Sequence, residues 1–307
     1  MQIIYQSEIK TLSPCVATVG FFDGLHAGHR FLIEELKTIA TLHQLKSVVI
    51  TFSMHPRNVL NPEFRPELLN TLSEKLAQLE STGIDTCVVL DFTQVMANLS
   101  AYEFLKTILK EQFNVRTLLV GHDHRFGHNR ADGFPEYKKY GESLGMEVIL
   151  ATRYNTELDQ HISSSEIRNA LMKGEIETAN RLLTYEYSIQ GKVVKGFQNG
   201  RLIGFPTANI EVFDGEKMIP TPGVYAVRVL CNDLTYKGMM NIGHRPTLDN
   251  GMDISLEVHI LNFDSDIYNQ TIEVDFIRKI RDEQKFKSME ELKEQLDKDK
   301  QYVLNMN

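Results

Sequence analysis

Hydrophobic patterning along the chain follows two different rules, and the place where one gives way to the other limits the folds open to it. Up to about Thr184, short apolar runs such as "CVATVGFF", "KSVVITF", "TCVVLDF", "VRTLLVG" and "MEVILAT" alternate with helical patterns such as "HRFLIEELKTIATLH" and "AYEFLKTILKEQF". Val- and Ile-rich strands separated by helices of about 10 to 15 residues describe a parallel sheet with right-handed crossovers, a doubly wound α/β domain. From Tyr187 onward, "YSIQGKVVKGF", "GVYAVRVLC", "LTYKGMMNIG", "ISLEVHILNF" and "QTIEVDFIRKIR" are strands joined by turns, and the chain closes on "SMEELKEQLDKDKQYVLN". That second pattern predicts an antiparallel β-barrel or sandwich followed by a serine-capped terminal helix. The expected division is therefore residues 1–184 and 185–307, with "ISSSEIRNALMKGEIETANRLL" as a serine-capped helix closing the first part.

The 307 residues suffice for two such cores, and 42% hydrophobic with 24% charged residues is ordinary globular usage. No apolar run approaches the roughly 20 residues needed to cross a bilayer, and "MQIIYQSEIK" lacks a signal-like pattern, so a cytoplasmic protein without a membrane partner is expected. Cys15, Cys87 and Cys231 show no paired-ligand spacing and are read as reduced core thiols. A net charge of −8 argues against a nucleic-acid surface, which wants clustered Lys and Arg.

Parallel sheets bind ligands beyond the carboxyl ends of their strands, and those ends are unusually polar here. Asp23, His26 and His29 follow the first strand, "SMHPR" with His55 and Arg57 the second, and "HDHRFGHNRADG" the "LLVG" strand. Five of the ten histidines fall in the first and third of these loops. "GFFDGLHAGHRFL" has the layout of a phosphate seat, because a glycine-bearing turn brings a strand to a helix start whose N–H groups favour anions. Gly20 and Gly24 permit a close backbone, Gly28 leaves room beside the helix, and His26 and His29 can both donate to one ligand. From spacing alone, metal ligation by the two histidines, with His122, His124 or Asp23 as a third ligand, remains a rival. Three consecutive serines in "ISSSEIR" exceed what an N-cap needs, and Arg168 beside them can neutralise a phosphate.

In the second part, "GRLIGFPTANI" offers Thr207 and Asn209 as hard oxygen ligands of the kind Mg²⁺ prefers, with Gly200 and Gly204 allowing the backbone near a nucleotide. A strand and turn alone would not need "PTAN".

Taken in order, these motifs resemble the bacterial bifunctional riboflavin kinase/FAD synthetases over essentially the whole chain. "GFFDGLHAGH" is similar to the G-x-F-D-x-x-H-x-G-H signature of the nucleotidylyltransferase superfamily, which implies ATP binding by Gly20, Phe22, Asp23, Gly24, His26, Gly28 and His29. "ISSSEIR" adds Ser164, Ser165 and Arg168 to the ATP phosphates by the same resemblance. On the FMN side it implies His55, Arg57, Asp123, Arg125, Phe126 and Arg130, although His124 stands where the family commonly has phenylalanine. "GRLIGFPTAN" resembles the kinase motif, implying Gly200, Gly204, Pro206, Thr207 and Asn209 at ATP, Thr207 and Asn209 at Mg²⁺, and Glu257 of "LEVH" as catalytic base. Asn269 replaces the usual glycine after "D-x-Y". A fold follows as expectation: a Rossmann-like nucleotidylyltransferase sheet and a riboflavin-kinase barrel.

Chemistry agrees with that division of labour. Riboflavin attacks ATP through an alcohol that keeps its proton at neutral pH, so a carboxylate base helps. FMN attacks through an oxygen already anionic, so adenylylation needs positioning and charge neutralisation. Two other readings stay open: a riboflavin kinase whose first domain transfers a nucleotidyl group to another substrate, and a flavin-binding regulator without turnover. A tRNA-charging enzyme is disfavoured by the acidic balance and by the lack of a K-M-S-K-S-like loop.

Overall fold

The computed structural model describes the chain except residues 9–11, 62, 123, 129–130, 155–161, 197–198, 247–251 and 307, with backbone only at 199, 244–246 and 252–253. Asp123 and Arg130 therefore lie outside the described residues. Two compact units, Met1–Ser163 and Ser164–Asn307, make up the molecule.

In the first unit, β1 (Gln2–Tyr5), β2 (Cys15–Val19), β3 (Lys46–Phe52), β4 (Thr86–Leu90), β5 (Val115–Val120) and β6 (Glu147–Leu150) form one parallel sheet in the order β1-β4-β3-β2-β5-β6. Strands β2 and β4 are buried at every position, which is what both-face coverage demands of a parallel sheet. Helices α1 (Ala27–His43), α2 (Pro56–Leu60) and α3 (Leu72–Glu80) come from the first half of the unit. Ile33, Leu36 and Ala40 of α1 pack with Leu76 and Leu79 of α3 on one face of the sheet. Two short helices follow, α4 (Gln94–Ala97) and α5 (Ala101–Glu103), the latter continuing as a π-helix over Phe104–Gln112; α6 (Phe134–Leu144) completes the unit. Phe104, Leu105 and Leu109 pack with Tyr137 of α6 on the opposite face. Strand β1 is absent from the sequence reading because only Ile4 of its four residues turns away from solvent, so no apolar period announces it.

The second unit begins with α7 (Ser164–Lys173) and α8 (Ile176–Leu183), not one helix but two. Gly174, at φ +74°, breaks the run, and a side chain there would strike Lys279. Strands β7 (Ser188–Val194), β8 (Ala208–Val212), β9 (Gly223–Cys231), β10 (Leu234–Pro246), β11 (Met252–Ile260) and β12 (Thr271–Arg281) close into a barrel in the order β10-β11-β8-β7-β12-β9, antiparallel throughout. The expected barrel is thus the one observed. Its sixth strand is β8, five residues that begin within "PTANI" and run on to Val212. A single helical turn, α9 (Asn199–Leu202), precedes β8, and α10 (Met289–Asn305) ends the chain. Ser288 caps α10 by accepting from the Glu291 N–H, as its sequence predicts. Val303 of α10 packs with Phe205, Ala226 and Met239 against the barrel, and the buried Asp299 pairs with Arg281 of β12 at 2.9 Å.

Helices α7 and α8 hold to this barrel. Asn180 donates to the Phe276 carbonyl and accepts from the Tyr187 N–H, both at 2.8 Å, and Glu177 pairs with Arg278. The change of sequence pattern at Thr184 and the division of the fold at Ser163 thus fall 21 residues apart, the two helices belonging to one side by pattern and to the other by packing. All three cysteines are buried and unbridged.

Candidate active sites in the two units

In the first unit, β2 leads to β3 on one side while β5 lies on its other side, so the sheet reverses direction at β2. Crevices open at such reversals, at the carboxyl end. The loop after β2 carries the two histidines there. It is tightly wound: Phe22 (φ +55°), Gly24 (φ +78°) and Leu25 (φ +32°) all adopt left-handed backbone, unusual for the two non-glycines. Burial of Phe22 and Leu25 at 3% and 0% exposure holds that geometry. A Cβ at Gly20 would lie 2.9 Å from the Phe22 ring, and one at Gly28 3.3 Å from the His26 ring.

His26 caps α1, its Nδ1 accepting from the His29 N–H at 3.4 Å. An Nδ1 that accepts leaves the proton on Nε2, so the neutral His26 ring is a donor at its far edge. The His29 ring stacks on it, centroids 3.7 Å apart and planes 16° from parallel, with Phe22 edge-on at 5.2 Å. Stacked imidazoles at a helix start suit neighbouring oxygens of one phosphate chain. Converging ligands of a single ion would need their rings turned toward a common point.

Burial of its Nδ1 edge, with His26 adding to the effect, holds the His29 imidazole well below the usual histidine value, so it is neutral near pH 7. A histidine depressed in the folded state protonates more readily when unfolded; its stabilising contribution is complete above about pH 6.5 and is lost as pH falls toward the folded value. The melting temperature of the wild type should therefore fall more between about pH 7.5 and pH 5.5 than that of His29→Gln. Equal falls in a thermal scan would show that His29 is not the group responsible.

Asp23 is turned inward. At 5% exposure its Oδ1 accepts from the Leu69 and Asn70 N–H groups at 3.0 and 3.2 Å. His55 caps α2 by accepting from the Arg57 N–H at 3.1 Å, and its ring meets Phe21 of the β2 loop at 4.8 Å. Arg57 lies over the Phe64 ring at 5.8 Å. After β5, Phe126 is not an exposed lining residue: it stacks on Phe104 at 5.5 Å, and its N–H donates to the Tyr137 hydroxyl at 2.8 Å. His124 packs its ring on Phe126 at 4.4 Å, an aromatic contact of the kind a phenylalanine there would make. Arg125 donates to the His122 and His124 carbonyls of its own loop. Sequence reading brings His26, His29, His55 and Asp23 to one end of the sheet correctly. It passes over Lys75, which lies beneath the same loop. A cavity of about 580 Å³ opens at the amino ends of the strands beside Gln2, Cys15, Lys46 and Thr86, away from the histidines.

Ser164, Ser165 and Arg168 occupy the first turns of α7 in the second unit. In the same unit Thr207, just before β8, donates to Glu257 Oε2 of β11 at 3.3 Å, and Glu257 stands opposite Asn209 in the β8–β11 ladder. Asn209 is 7% exposed, and a Cβ at Gly196 would clash with its amide. Gly200 lets the backbone pass the Phe205 carbonyl, Gly204 turns at φ +85°, and the Pro206 carbonyl bonds to His259 Nδ1 at 2.7 Å. Beside this group lies a cavity of about 530 Å³ lined by Arg201, Thr207, Phe263, Asp266 and Tyr268 among others. That is a volume suited to a small organic molecule. Asp266 and Tyr268 are the "D-x-Y" that precedes Asn269, noted in sequence without a role at the cavity, since single polar residues in a turn carry no periodicity. Asn269 adopts φ +64°, the left-handed conformation a glycine would take, and donates to the Val193 carbonyl at 2.9 Å.

Comparison with known proteins agrees with this two-site arrangement. Residues 8–166 match the FAD synthetase family model and residues 183–307 the riboflavin kinase model. Bifunctional riboflavin kinase/FMN adenylyltransferase of Bacillus subtilis is 37% identical over 94% of this chain and 91% of its own. The Escherichia coli K12 protein of the same name is 38% identical over 93% and 90%. A solved structure described as a macrolide-efflux protein from Streptococcus pneumoniae superposes over the whole of both chains with TM-score 0.91 and 32% identity. Among the described residues of this chain, no helix is long and apolar enough to cross a membrane. The chain belongs to the family of bifunctional riboflavin kinase/FMN adenylyltransferases.

Proposed function

We propose that the chain phosphorylates riboflavin to FMN in the barrel and joins FMN to AMP from ATP in the parallel-sheet domain, giving FAD and pyrophosphate. The observation that carries the reading is the pairing of two unlike sites in one chain: a carboxylate held by a hydroxyl beside a small-molecule cavity, and stacked imidazoles at a helix start. In the barrel, Glu257 takes the proton as the riboflavin hydroxyl attacks the terminal phosphoryl of ATP, whose bond to the β-phosphate breaks so that ADP leaves. Gly200, Gly204 and Pro206 shape the chain around the nucleotide. Thr207 and Asn209 offer neutral oxygens beside the Glu257 carboxylate, a hard donor set that fits Mg²⁺. When bound, that ion would neutralise charge on the phosphate chain.

In the first domain, His26 and His29 contact the ATP phosphates, with Gly20, Gly24 and Gly28 keeping the loop close and Phe22 supporting the rings. Ser164, Ser165 and Arg168 serve the same phosphates, and His55, Arg57 and Arg125 the FMN side, together with Asp123 and Arg130. FMN attacks the α-phosphorus and pyrophosphate departs, so these side chains hold and neutralise without taking a proton. Buried, unbridged thiols fit a reducing cytoplasm. Purified protein given riboflavin, ATP and Mg²⁺ is expected to accumulate FAD on chromatography, through FMN. A product that stops at FMN removes the synthetase half, and flavin binding without ATP turnover removes both.

A further inference from the structure

One buried charge in the first unit belongs to neither catalytic set. Lys75, in the first turn of α3, is 2% exposed, so its amine is held away from water. Instead Nζ donates to the Phe21 carbonyl at 3.2 Å and the Phe52 carbonyl at 2.9 Å, and it lies 4.1 Å from the centre of the Phe21 ring. Phe21 opens the histidine loop after β2. Phe52 ends β3, whose continuation is the His55–Arg57 turn. One ammonium therefore bridges the starts of the two loops on which adenylyl transfer depends.

The bridge is part of a closed circuit. Asp23, two residues beyond Phe21, holds the Leu69 and Asn70 N–H groups, which lead into Thr71. Thr71 caps α3 in a reciprocal capping box with Glu74, fixing the turn that carries Lys75. Thr51 closes the β3 side, its hydroxyl donating to the same Phe21 carbonyl at 3.1 Å. Burial pushes the Lys75 amine down to about 8, against the pull of Asp23. Keeping a charged lysine in such a place is costly, and an apolar side chain of similar length would pack there without that cost. A purely structural role thus leaves the charge unexplained.

We propose that Lys75 is a positioning residue for adenylyl transfer, fixing the spacing between the ATP-binding loop after β2 and the FMN-side turn after β3. The proposal rests on the assignment of FMN adenylylation to this domain. Two reactants held by separate loops react at a rate set by the distance between the loops, whereas each binds through its own loop. Losing the bridge should then lower kcat more than it raises either KM.

The test is steady-state FAD formation by full-length Lys75→Met, with FMN and ATP varied separately, alongside riboflavin phosphorylation and a thermal scan. Expected is a fall in kcat of about 10- to 100-fold with both KM values within about threefold of wild type, because orientation acts on the chemical step. Kinase turnover and melting temperature should stay level or rise. Wild-type kcat in the variant overturns the proposal, as does a loss confined to KM. Should Lys75→Met fail to fold, Lys75→Gln carries the test, since its shorter neutral side chain keeps a polar group in place but cannot span both the Phe21 and Phe52 carbonyls. An unchanged kcat for FAD formation there overturns the proposal equally. Failure of the wild type to form FAD is a separate outcome and removes the assignment beneath it.

Discussion

Replacing His29 by alanine should lower FAD formation by about 10²- to 10³-fold, the size expected for one preorganised donor to a reacting phosphate chain, while riboflavin phosphorylation continues unchanged. The reason lies in the build of the site. His29 is stacked on His26 and backed by Phe22, so its ring arrives at the ligand already oriented, with no side-chain freedom left to lose. Its neutral state in the free protein matters too. An incoming polyphosphate favours the imidazolium, so each binding event strengthens the donor at the moment that charge appears. Assays with FMN and ATP supplied directly would read the loss. Equal loss of kinase turnover in a folded variant would show that the histidine serves more than adenylylation.

Glu257→Gln should do the opposite. It preserves the side-chain volume and an oxygen for the Thr207 hydroxyl, yet removes the basic oxygen, so FMN production should fall by about 10²- to 10⁴-fold. FAD formation from added FMN should stay at the wild-type level. The chemical difference between the nucleophiles underlies this asymmetry: an alcohol must lose a proton to react, and a phosphate has already done so. Retained kinase activity would move the role of base to another group near the cavity.

Most of the architecture could be read from the sequence where burial imposes a period. Five strands of the parallel sheet are apolar runs because both faces are covered, and barrel strands such as β7 and β12 alternate because one face is. The exceptions share a cause. Strand β1 is a largely exposed edge, β8 is too short to show a period, and the break at Gly174 depends on Lys279, a hundred residues away. At the sites, candidates singled out by residue type and spacing were readable, as with His26, His29 and Thr207. Those that act through the fold were not. Asp23 reads as a ligand beside two histidines, yet its carboxylate is bound to the backbone at Leu69 and Asn70. Phe126 reads as lining, yet Tyr137 and Phe104 enclose it. Lys75 reads as an ordinary helix charge, and only the register of α3 over β3 turns it inward.

The double allegiance of α7 and α8 has a practical side for anyone dividing this protein. Cutting after Thr184 would strip the barrel of the Asn180 clasp on Phe276 and Tyr187 and of the Thr221 N–H bond to the Leu171 carbonyl, leaving apolar helix contacts bare. Cutting before Ser164 would send the "SSEIR" turn away with the kinase, although the synthetase family model runs through residue 166. The 21 residues from Ser164 to Thr184 therefore pack with the barrel while the first of them fall within the synthetase family match, and either cut leaves one of the two short.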